Sequence, residues 1–174
     1  MVRSRCRGKD NGLVVNDISG EGQALLPLVP PRVAVIAVTF RGDDVILVRR
    51  KNEPQRDTWG FPGGSVEADE SLHDATLREL REETGVRAEV VGWVDVVEVR
   101  EVDHTGRHYH FVLIAMLCRY LHGDLTPGDD AAECRWLRIP EGLLEFQGRL
   151  AEHVARVARL SHRRLRHGFP EDAS

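Results

Sequence analysis

The sequence predicts an α/β (α+β) fold, in which a mixed β-sheet packs between helices. Three observations predict it: a continuous apolar run at 33–40, helical spacing at 71–84, and two long strand-like segments at 88–102 and 108–121. Apolar runs with β-branched residues favour buried strands, whereas apolar residues at helical spacing favour an amphipathic helix. With 174 residues and no internal repeat, the chain has a usual size for one domain.

Turn residues separate the first elements of the chain. The strand at 33–40 leads into a hairpin turn at 41–44, and a second strand follows at 45–48. A polar loop at 51–58 comes next. The helix at 71–84 has markers at both ends, with Ser71 in the character of an N-cap and Gly85 in the position of a C-cap.

The second half of the chain continues the sheet and ends in helix. The strand at 88–102 is long enough to bend or break near Gly92. After the second long strand, a loop at 124–130 leads to a short strand at 134–139. Apolar residues at helical spacing between 142 and 166 predict one or two helices.

Three regions are expected along the chain: a mobile leader at 1–30, the folded domain at 31–166 and a tail at 167–174. The leader is rich in glycine and charge, and the prolines at its end break regular structure. Whether it adds a short strand or contacts a partner subunit is left open by the sequence.

Charge and cysteine content narrow the class of protein. A net charge of −4 argues against a general nucleic-acid or membrane-surface binder. No apolar run reaches the roughly 18 residues of a membrane span, and an apolar signal core is not expected at the N-terminus. Cys6, Cys118 and Cys134 lack metal-ligand spacing and are typical of reduced cysteines, so a cytoplasmic protein is expected.

The predicted helix at 71–84 concentrates negative charge. Glu79, Glu82 and Glu83 stand at i, i+3 and i+4, so they share one arc of the helix, while Leu77 and Leu80 point to the opposite side. The helix is expected to dock through its leucines and to present three carboxylates outward. Clustered oxygen ligands suit Mg²⁺ or Mn²⁺ shared with substrate phosphates; the alternative is a solvated acidic face.

The spacing around these glutamates forms a longer motif. Five residues separate Gly64 from Glu70, and seven separate Glu70 from Arg78. The remaining fixed positions are Glu79, Leu80, Glu82, Glu83, Gly85 and Val86. The whole pattern resembles the Nudix box, and Phe61, Pro62 and Gly63 supply the lead-in often seen in that family.

This resemblance implies a Nudix-type α/β/α sandwich with a mixed sheet, and an enzyme that hydrolyses a pyrophosphate bond in a nucleoside diphosphate derivative. It also implies Mg²⁺ or Mn²⁺ as cofactor. Glu82 and Glu83 would carry most of the metal ligation, with Glu79 as a further ligand or the base and the Gly64 carbonyl oxygen contributing. Arg78 is expected to orient a glutamate of the box through a charge-assisted hydrogen bond, and Glu70 to close the loop onto the helix.

Other site candidates lie outside the box. Glu133 is a candidate general base, and its alternative is a solvated loop acid. Arg49 and Arg50 follow a strand and are candidates for phosphate contact, with one of them facing the site if side chains alternate. Trp59 and Phe61 are candidates for stacking on a base, with the core as their alternative.

The sequence says less about the identity of the substrate than about the type of reaction. Arg100 stands where relatives acting on ADP-ribose often carry proline, and Asp103 where relatives acting on dinucleoside polyphosphates often carry tyrosine. The expected substrates are (deoxy)nucleoside triphosphates or nucleotide sugars such as ADP-ribose. The alternative function is a non-catalytic nucleotide-sensing module. Beyond the small-molecule nucleotide, neither nucleic acid nor a membrane is an expected partner, and a homodimer is common among relatives.

Overall fold

The computed structural model describes residues 29–146 and 148–167. The predicted leader at 1–30 lies outside this description except for its last two residues, and the predicted tail at 167–174 lies outside it except for His167. Within the described residues, no helix is long and apolar enough to span a membrane.

The order of the elements follows the predicted order. Within the described residues the elements are β1 (Arg32–Arg41), β2 (Asp44–Arg50), β3 (Trp59–Gly60), β4 (Gly63–Ser65), α1 (Leu72–Thr84), β5 (Arg87–Val102), β6 (His108–His122), β7 (Ala131–Arg138), a 3-10 helix (Glu141–Leu144) and α2 (Val154–His167). The last strand begins at Ala131, earlier than predicted. The sequence predicted one or two helices between 142 and 166, and the structure has a single turn of 3-10 helix followed by α2.

The sheet is mixed, as predicted. β1 runs parallel to β6, whereas β5 pairs antiparallel with β6 and β7 pairs antiparallel with β2. The other edge of β1 is divided between two partners: β4 pairs with residues 34–36, and β2 pairs with Phe40 and Arg41. The strands β2 and β4 therefore pair with the same edge of β1 at different points.

Alternate residues of β1 enter two different cores. Ile36, Val38 and Phe40 pack in a cluster that contains Val154 and Val157 of α2. Ala37, on the opposite face, packs in a cluster with Leu80 of α1. Because strand side chains alternate between faces, one helix covers each side of the sheet, which confirms the α/β/α sandwich.

The ends of α1 are capped as predicted. The Ser71 Oγ accepts the Asp74 backbone N–H at 3.1 Å, and Gly85 adopts a φ of 70° while donating its N–H to the Arg81 carbonyl. Leu80 is fully buried between the helix and the sheet. The predicted irregularity near Gly92 is present as shifts of register between Val90 and Gly92.

A cluster of charges ties α2 to the turn between β1 and β2. The Asp43 Oδ1 accepts hydrogen bonds from His162 Nε2 at 2.8 Å and from Arg166 Nη2 at 2.6 Å. Hydrogen bonds from His162 and then Arg166 lower the pKa of Asp43 to about 2. The ionised carboxylate is therefore the form that holds the C-terminal helix to the hairpin.

Replacing Asp43 with asparagine is expected to lower the melting temperature by a few degrees at pH 7. A carboxyl whose folded pKa lies below its ordinary 3.8 stabilises the protein above that value and loses its contribution as the pH falls towards about 2. Thermal unfolding followed by circular dichroism should therefore show a difference between Asp43→Asn and wild type that shrinks between pH 4 and pH 2 (roughly the window between the two pKa values).

The matched control is Asp44→Asn, since Asp44 is a neighbouring carboxylate that pairs with Arg138 at 3.0 Å. This control should change the melting temperature less than Asp43→Asn does. A pH-independent effect at Asp43 would contradict the assignment of its stabilising role to the charge.

Candidate functional site

The acidic helix α1 packs against the short strand β4. The Gly63 N–H donates to Glu83 Oε2 at 3.2 Å, which fixes one carboxylate to the strand backbone. At Gly64 an added Cβ would lie 2.3 Å from Glu79 Oε1, closer than any real contact. Glycine is therefore required at position 64 so that the Glu79 carboxylate can approach the main chain of β4.

The guanidinium of Arg78 joins three segments at this contact. Its Nε and Nη2 donate to the two oxygens of Glu70 at 2.8 and 2.9 Å, a bidentate pair. Its Nη1 donates to Glu79 Oε1 at 2.7 Å, and its Nη2 also reaches the Ser65 carbonyl at 3.2 Å. The contacts expected of Arg78 and Glu70 are thus present, and they connect the loop before α1, the helix and β4.

The ion pair between Arg78 and Glu70 shifts the pKa of both groups. The Arg78 hydrogen bonds lower the pKa of Glu70 to about 2. The same bonds, led by the one with Glu70, raise the pKa of Arg78 above its ordinary value. Both groups are therefore charged throughout the range in which the protein is expected to work.

The three glutamates of α1 differ in exposure, which corrects the expectation that all of them point outward. The Glu82 side chain is 53% exposed, but that of Glu79 is only 15% exposed, and Glu83 is partly buried. The reason is the contact with β4, where the Glu79 carboxylate lies beside Gly64 and the Glu83 carboxylate accepts the Gly63 N–H.

Burial also changes the acidity of the two inner glutamates. Desolvation raises the pKa of Glu83 to about 7, while the Gly63 N–H opposes that rise. Desolvation is likewise the main cause that raises the pKa of Glu79, against the opposing hydrogen bond from Arg78. Two neighbouring carboxylates in a partly desolvated site are stabilised in their ionised form by a nearby cation.

These groups surround a cavity of about 250 Å³, called here the acidic cavity. Its polar wall includes Gly64, Glu79, Glu83 and Asp130. All of these supply oxygen atoms, the donors that Mg²⁺ and Mn²⁺ prefer. In the described residues, no three Asp, Glu, His or Cys side chains are arranged to hold a metal ion by themselves. The donor set fits a hard cation that completes its shell with waters and phosphate oxygens.

Asp130 is a member of this cavity that the sequence did not single out. It precedes β7, and its Oδ1 accepts a hydrogen bond from Asn52 Nδ2 at 2.8 Å. The signal in the sequence was the acidic segment before the strand, from which Glu133 was selected as the candidate base.

The structure does not bring Glu133 to the carboxylates of α1. Glu133 stands opposite Arg49 in the β2–β7 pairing, and its Oε2 lies 3.6 Å from Arg49 Nε. Directly paired residues share one face of a sheet, and Arg50, the next residue, turns to the acidic cavity. Glu133 therefore lies on the opposite face of the sheet from Arg50, whereas Asp130 lines the acidic cavity.

One arginine of the predicted pair faces the site. Arg50 lines the acidic cavity, whereas Arg49 turns away and pairs with Asp57 at 3.2 Å. The predicted alternation is thus present, with Arg50 on the side of the acids.

The two predicted stacking residues lie in the protein interior. Trp59 is 3% exposed and packs edge-on against Phe146, with ring centroids 4.9 Å apart. Trp59 therefore lies where the core alternative places it. Phe61 is equally buried but contributes to the wall of a second cavity.

The second cavity, called here the larger cavity, has a volume of about 350 Å³. It meets the acidic cavity along β4, since Gly63, Gly64 and Ser65 line both, as does Arg50. The wall formed by β6 includes Tyr109 and Phe111, which are not among the site residues predicted from the sequence. A molecule lying across β4 would therefore reach from the acids of α1 to an aromatic wall.

The fold and the helix–strand site place this chain in a class of α+β domains that hold an acidic helix against a mixed sheet. The family model described as NUDIX domain matches residues 30–157, and the chain belongs to the NUDIX family.

Individual relatives cover parts of the chain. An ADP-ribose pyrophosphatase of Methanocaldococcus jannaschii is 33% identical over 109 residues, which are 63% of each chain. A putative mutator protein MutT4 of Mycobacterium tuberculosis is 32% identical over 146 residues, or 80% of this chain and 53% of that one. The chain thus spans less than two thirds of the length of either relative.

Solved structures share the fold. The NUDIX domain of Shewanella oneidensis NrtR, determined in complex with ADP ribose, superposes with a TM-score of 0.63 at 24% identity. The match covers 79% of this chain and 90% of that one.

The Arg78 contacts lead to a prediction about stability. Arg78→Gln leaves the carboxylates of Glu70 and Glu79 without their charged donor, so it should lower the free energy of unfolding. In a protein that already carries Glu70→Gln, the Arg78→Gln change should lower the free energy of unfolding by less, because one of the two carboxylates that lose their charged donor has already been replaced by a neutral amide. Urea unfolding of the four proteins at pH 7 measures this coupling.

The control cycle uses Arg119 and Glu89, an exposed pair across β5 and β6 at 2.6 Å. Exposed ion pairs contribute little, so its coupling should be smaller than that of Arg78 with Glu70. Equal couplings in the two cycles would show that Arg78 is an ordinary surface arginine.

Proposed function

We propose that this chain is an enzyme that hydrolyses a pyrophosphate bond in a nucleoside diphosphate derivative with the help of Mg²⁺ or Mn²⁺. The observation that carries the proposal is the placement of Glu79 and Glu83 in a cavity that continues, across β4, into a second cavity large enough for a bound organic moiety. The pyrophosphatase name of the Methanocaldococcus jannaschii relative supports the same reaction class.

A cation in the acidic cavity would neutralise phosphate oxygens and lower the pKa of a bound water, which makes that water a nucleophile near neutral pH. Glu79, Glu83 and the Gly64 carbonyl are the groups proposed to hold it, with Glu82 adding a ligand from the exposed side of α1. Arg78 keeps the Glu79 carboxylate oriented through its 2.7 Å hydrogen bond.

Two further residues have proposed roles in the same cavity. Arg50 presents a positive charge beside the acids, where it would pair with phosphate oxygens. Asp130 is proposed to remove the proton from the attacking water, since it lies in the acidic cavity and is oriented by Asn52. This role replaces the one that the sequence assigned to Glu133.

The substrate class includes nucleoside triphosphates and nucleotide sugars such as ADP-ribose. ADP-ribose is the ligand bound by the Shewanella oneidensis NUDIX domain and is named in the Methanocaldococcus jannaschii relative. The larger cavity gives room for a second moiety beyond the pyrophosphate. The cytoplasmic location, the homodimer and the domain limits at 31 and 166 stay predictions from the sequence.

The test is release of phosphate, or of a nucleoside monophosphate, from a panel of nucleotides with Mg²⁺ and with a chelator. The panel contains NTPs, 8-oxo-dGTP, ADP-ribose, sugar nucleotides and dinucleoside polyphosphates. At least one should be hydrolysed, and the chelator should abolish turnover. Tight nucleotide binding without turnover of any of them would instead favour the non-catalytic sensing module.

Changing Glu83 to glutamine should lower kcat/KM by about a thousandfold, since it removes a charge that holds the cation and metal catalysis is worth several kcal/mol. Glu82→Gln is expected to act in the same direction. Both variants should stay folded, because glutamine keeps the shape of the side chain. Circular dichroism and the hydrolysis assay measure the two properties.

A matched control is Glu89→Gln on β5, an exposed carboxylate on the sheet that does not line either cavity. It should hydrolyse the substrate at the wild-type rate. Substantial Mg²⁺-dependent turnover by a folded Glu83→Gln protein would count against the metal role of α1.

A further inference from the structure

The aromatic wall of the larger cavity has no part in the chemistry at α1. Tyr109 and Phe111 are alternate residues of β6 and therefore point to the same face of the sheet. Their rings are nearly parallel, with an angle of 19° between planes and centroids 6.3 Å apart. Both side chains line the larger cavity and are partly buried, so each keeps a surface for a ligand.

Core packing does not account for this pair. The fully buried part of β6 is the segment 115–118, towards the other end of the strand. Leu113 packs at the edge of the core on the same face as the two rings. The two aromatic residues thus lie beyond the end of the core, in the wall of the larger cavity.

A positive charge lies between the aromatic wall and β4. The Arg32 guanidinium is 5.9 Å from the centre of the Phe111 ring, and its Nη2 donates to Ser65 Oγ at 3.1 Å. Arg107 stands over the Tyr109 ring at 5.2 Å. Moving outward from the acids, a ligand would meet the glycine backbone of β4, then a guanidinium, and then two aromatic faces.

We infer that Tyr109 and Phe111 bind the base of the substrate nucleotide by stacking, while Arg32 pairs with the phosphate attached to that nucleoside. The nucleoside half of the substrate then occupies the larger cavity, and the pyrophosphate reaches from there into the acidic cavity. The second moiety, which is attached to the other end of the pyrophosphate, extends away from the acidic cavity. This assignment rests on the proposed function, because it takes a nucleotide as the ligand.

The sequence of contacts matches the chemistry of a nucleotide. The base is a flat aromatic group and the phosphate is an anion, and the larger cavity presents aromatic rings for the first and the Arg32 guanidinium for the second. Stacking on aromatic side chains tolerates every base, since each has a π face. The enzyme should therefore accept several bases and discriminate mainly against ligands that have none.

Phe111→Leu tests the stacking contact, because leucine keeps an apolar side chain but has no ring. Tyr109 is a poorer choice, since its hydroxyl donates to Asp103 at 2.9 Å and its loss would disturb the β5–β6 turn. The probe is AMP with Mg²⁺, which carries a base and a phosphate but no pyrophosphate bond to hydrolyse. Calorimetry should show AMP binding weakened about tenfold in Phe111→Leu and retained in Phe111→Tyr.

Two controls separate the base contact from damage to the cavity. Ribose 5-phosphate, which lacks the base, should bind Phe111→Leu and wild type equally. Trp93→Leu removes an aromatic ring that is 60% exposed on β5 and does not line the larger cavity, so it should leave AMP binding unchanged. For a hydrolysed substrate, Phe111→Leu should raise KM about tenfold while kcat stays within about twofold of wild type.

Equal AMP affinity in wild type and Phe111→Leu would overturn the assignment, as would an equal loss of AMP and ribose 5-phosphate binding. Absence of AMP binding to the wild-type protein would overturn it as well. If AMP binding depends on Phe111 but no nucleotide in the panel is hydrolysed, the base site holds and the proposed enzymatic function fails.

Discussion

The site depends on one guanidinium. Arg78 binds both oxygens of Glu70, one oxygen of Glu79 and the Ser65 carbonyl, so a single side chain fixes the loop before α1, the helix itself and β4. Without that charge, the acids of α1 would repel one another in a partly desolvated space. Glu83 accepts the Gly63 N–H and is stabilised by the charge of Arg50, yet burial still raises its pKa to about 7, so a further cation would favour its ionised form.

The divided edge of β1 creates the space in which these groups meet. A strand normally pairs with one neighbour along each edge, but here β4 takes residues 34–36 and β2 takes Phe40 and Arg41. Arg50 is the last residue of β2 and lines the acidic cavity together with Gly63, Gly64 and Ser65 of β4. Arg50 and the three residues of β4 line both cavities, so backbone, acid and arginine converge although they come from separate parts of the chain.

Local patterns predicted the elements well, whereas the choice among neighbouring side chains needed the tertiary structure. The bounds of α1 were readable because Ser71 and Gly85 act on their own turn of helix. Placing Asp130 in the acidic cavity and Glu133 outside it required the register of β7 against β2, which a single sequence does not contain. Trp59 and Phe61 are similarly apolar and two residues apart, yet only Phe61 reaches a cavity, because the packing of Phe146 encloses Trp59.

Because β4 lines both cavities, the two cavities adjoin but are built from different elements of the fold. The groups that hold the acids come from α1 and β4, while the aromatic wall comes from β6, a strand that pairs with β1 and β5 and has no hydrogen bond to β4. If Tyr109 and Phe111 bind the base as proposed, exchange of residues at positions 109 and 111 would alter which compounds bind without changing the groups that hold the acids. Evolution could redirect such a scaffold towards new metabolites through a few replacements on one strand.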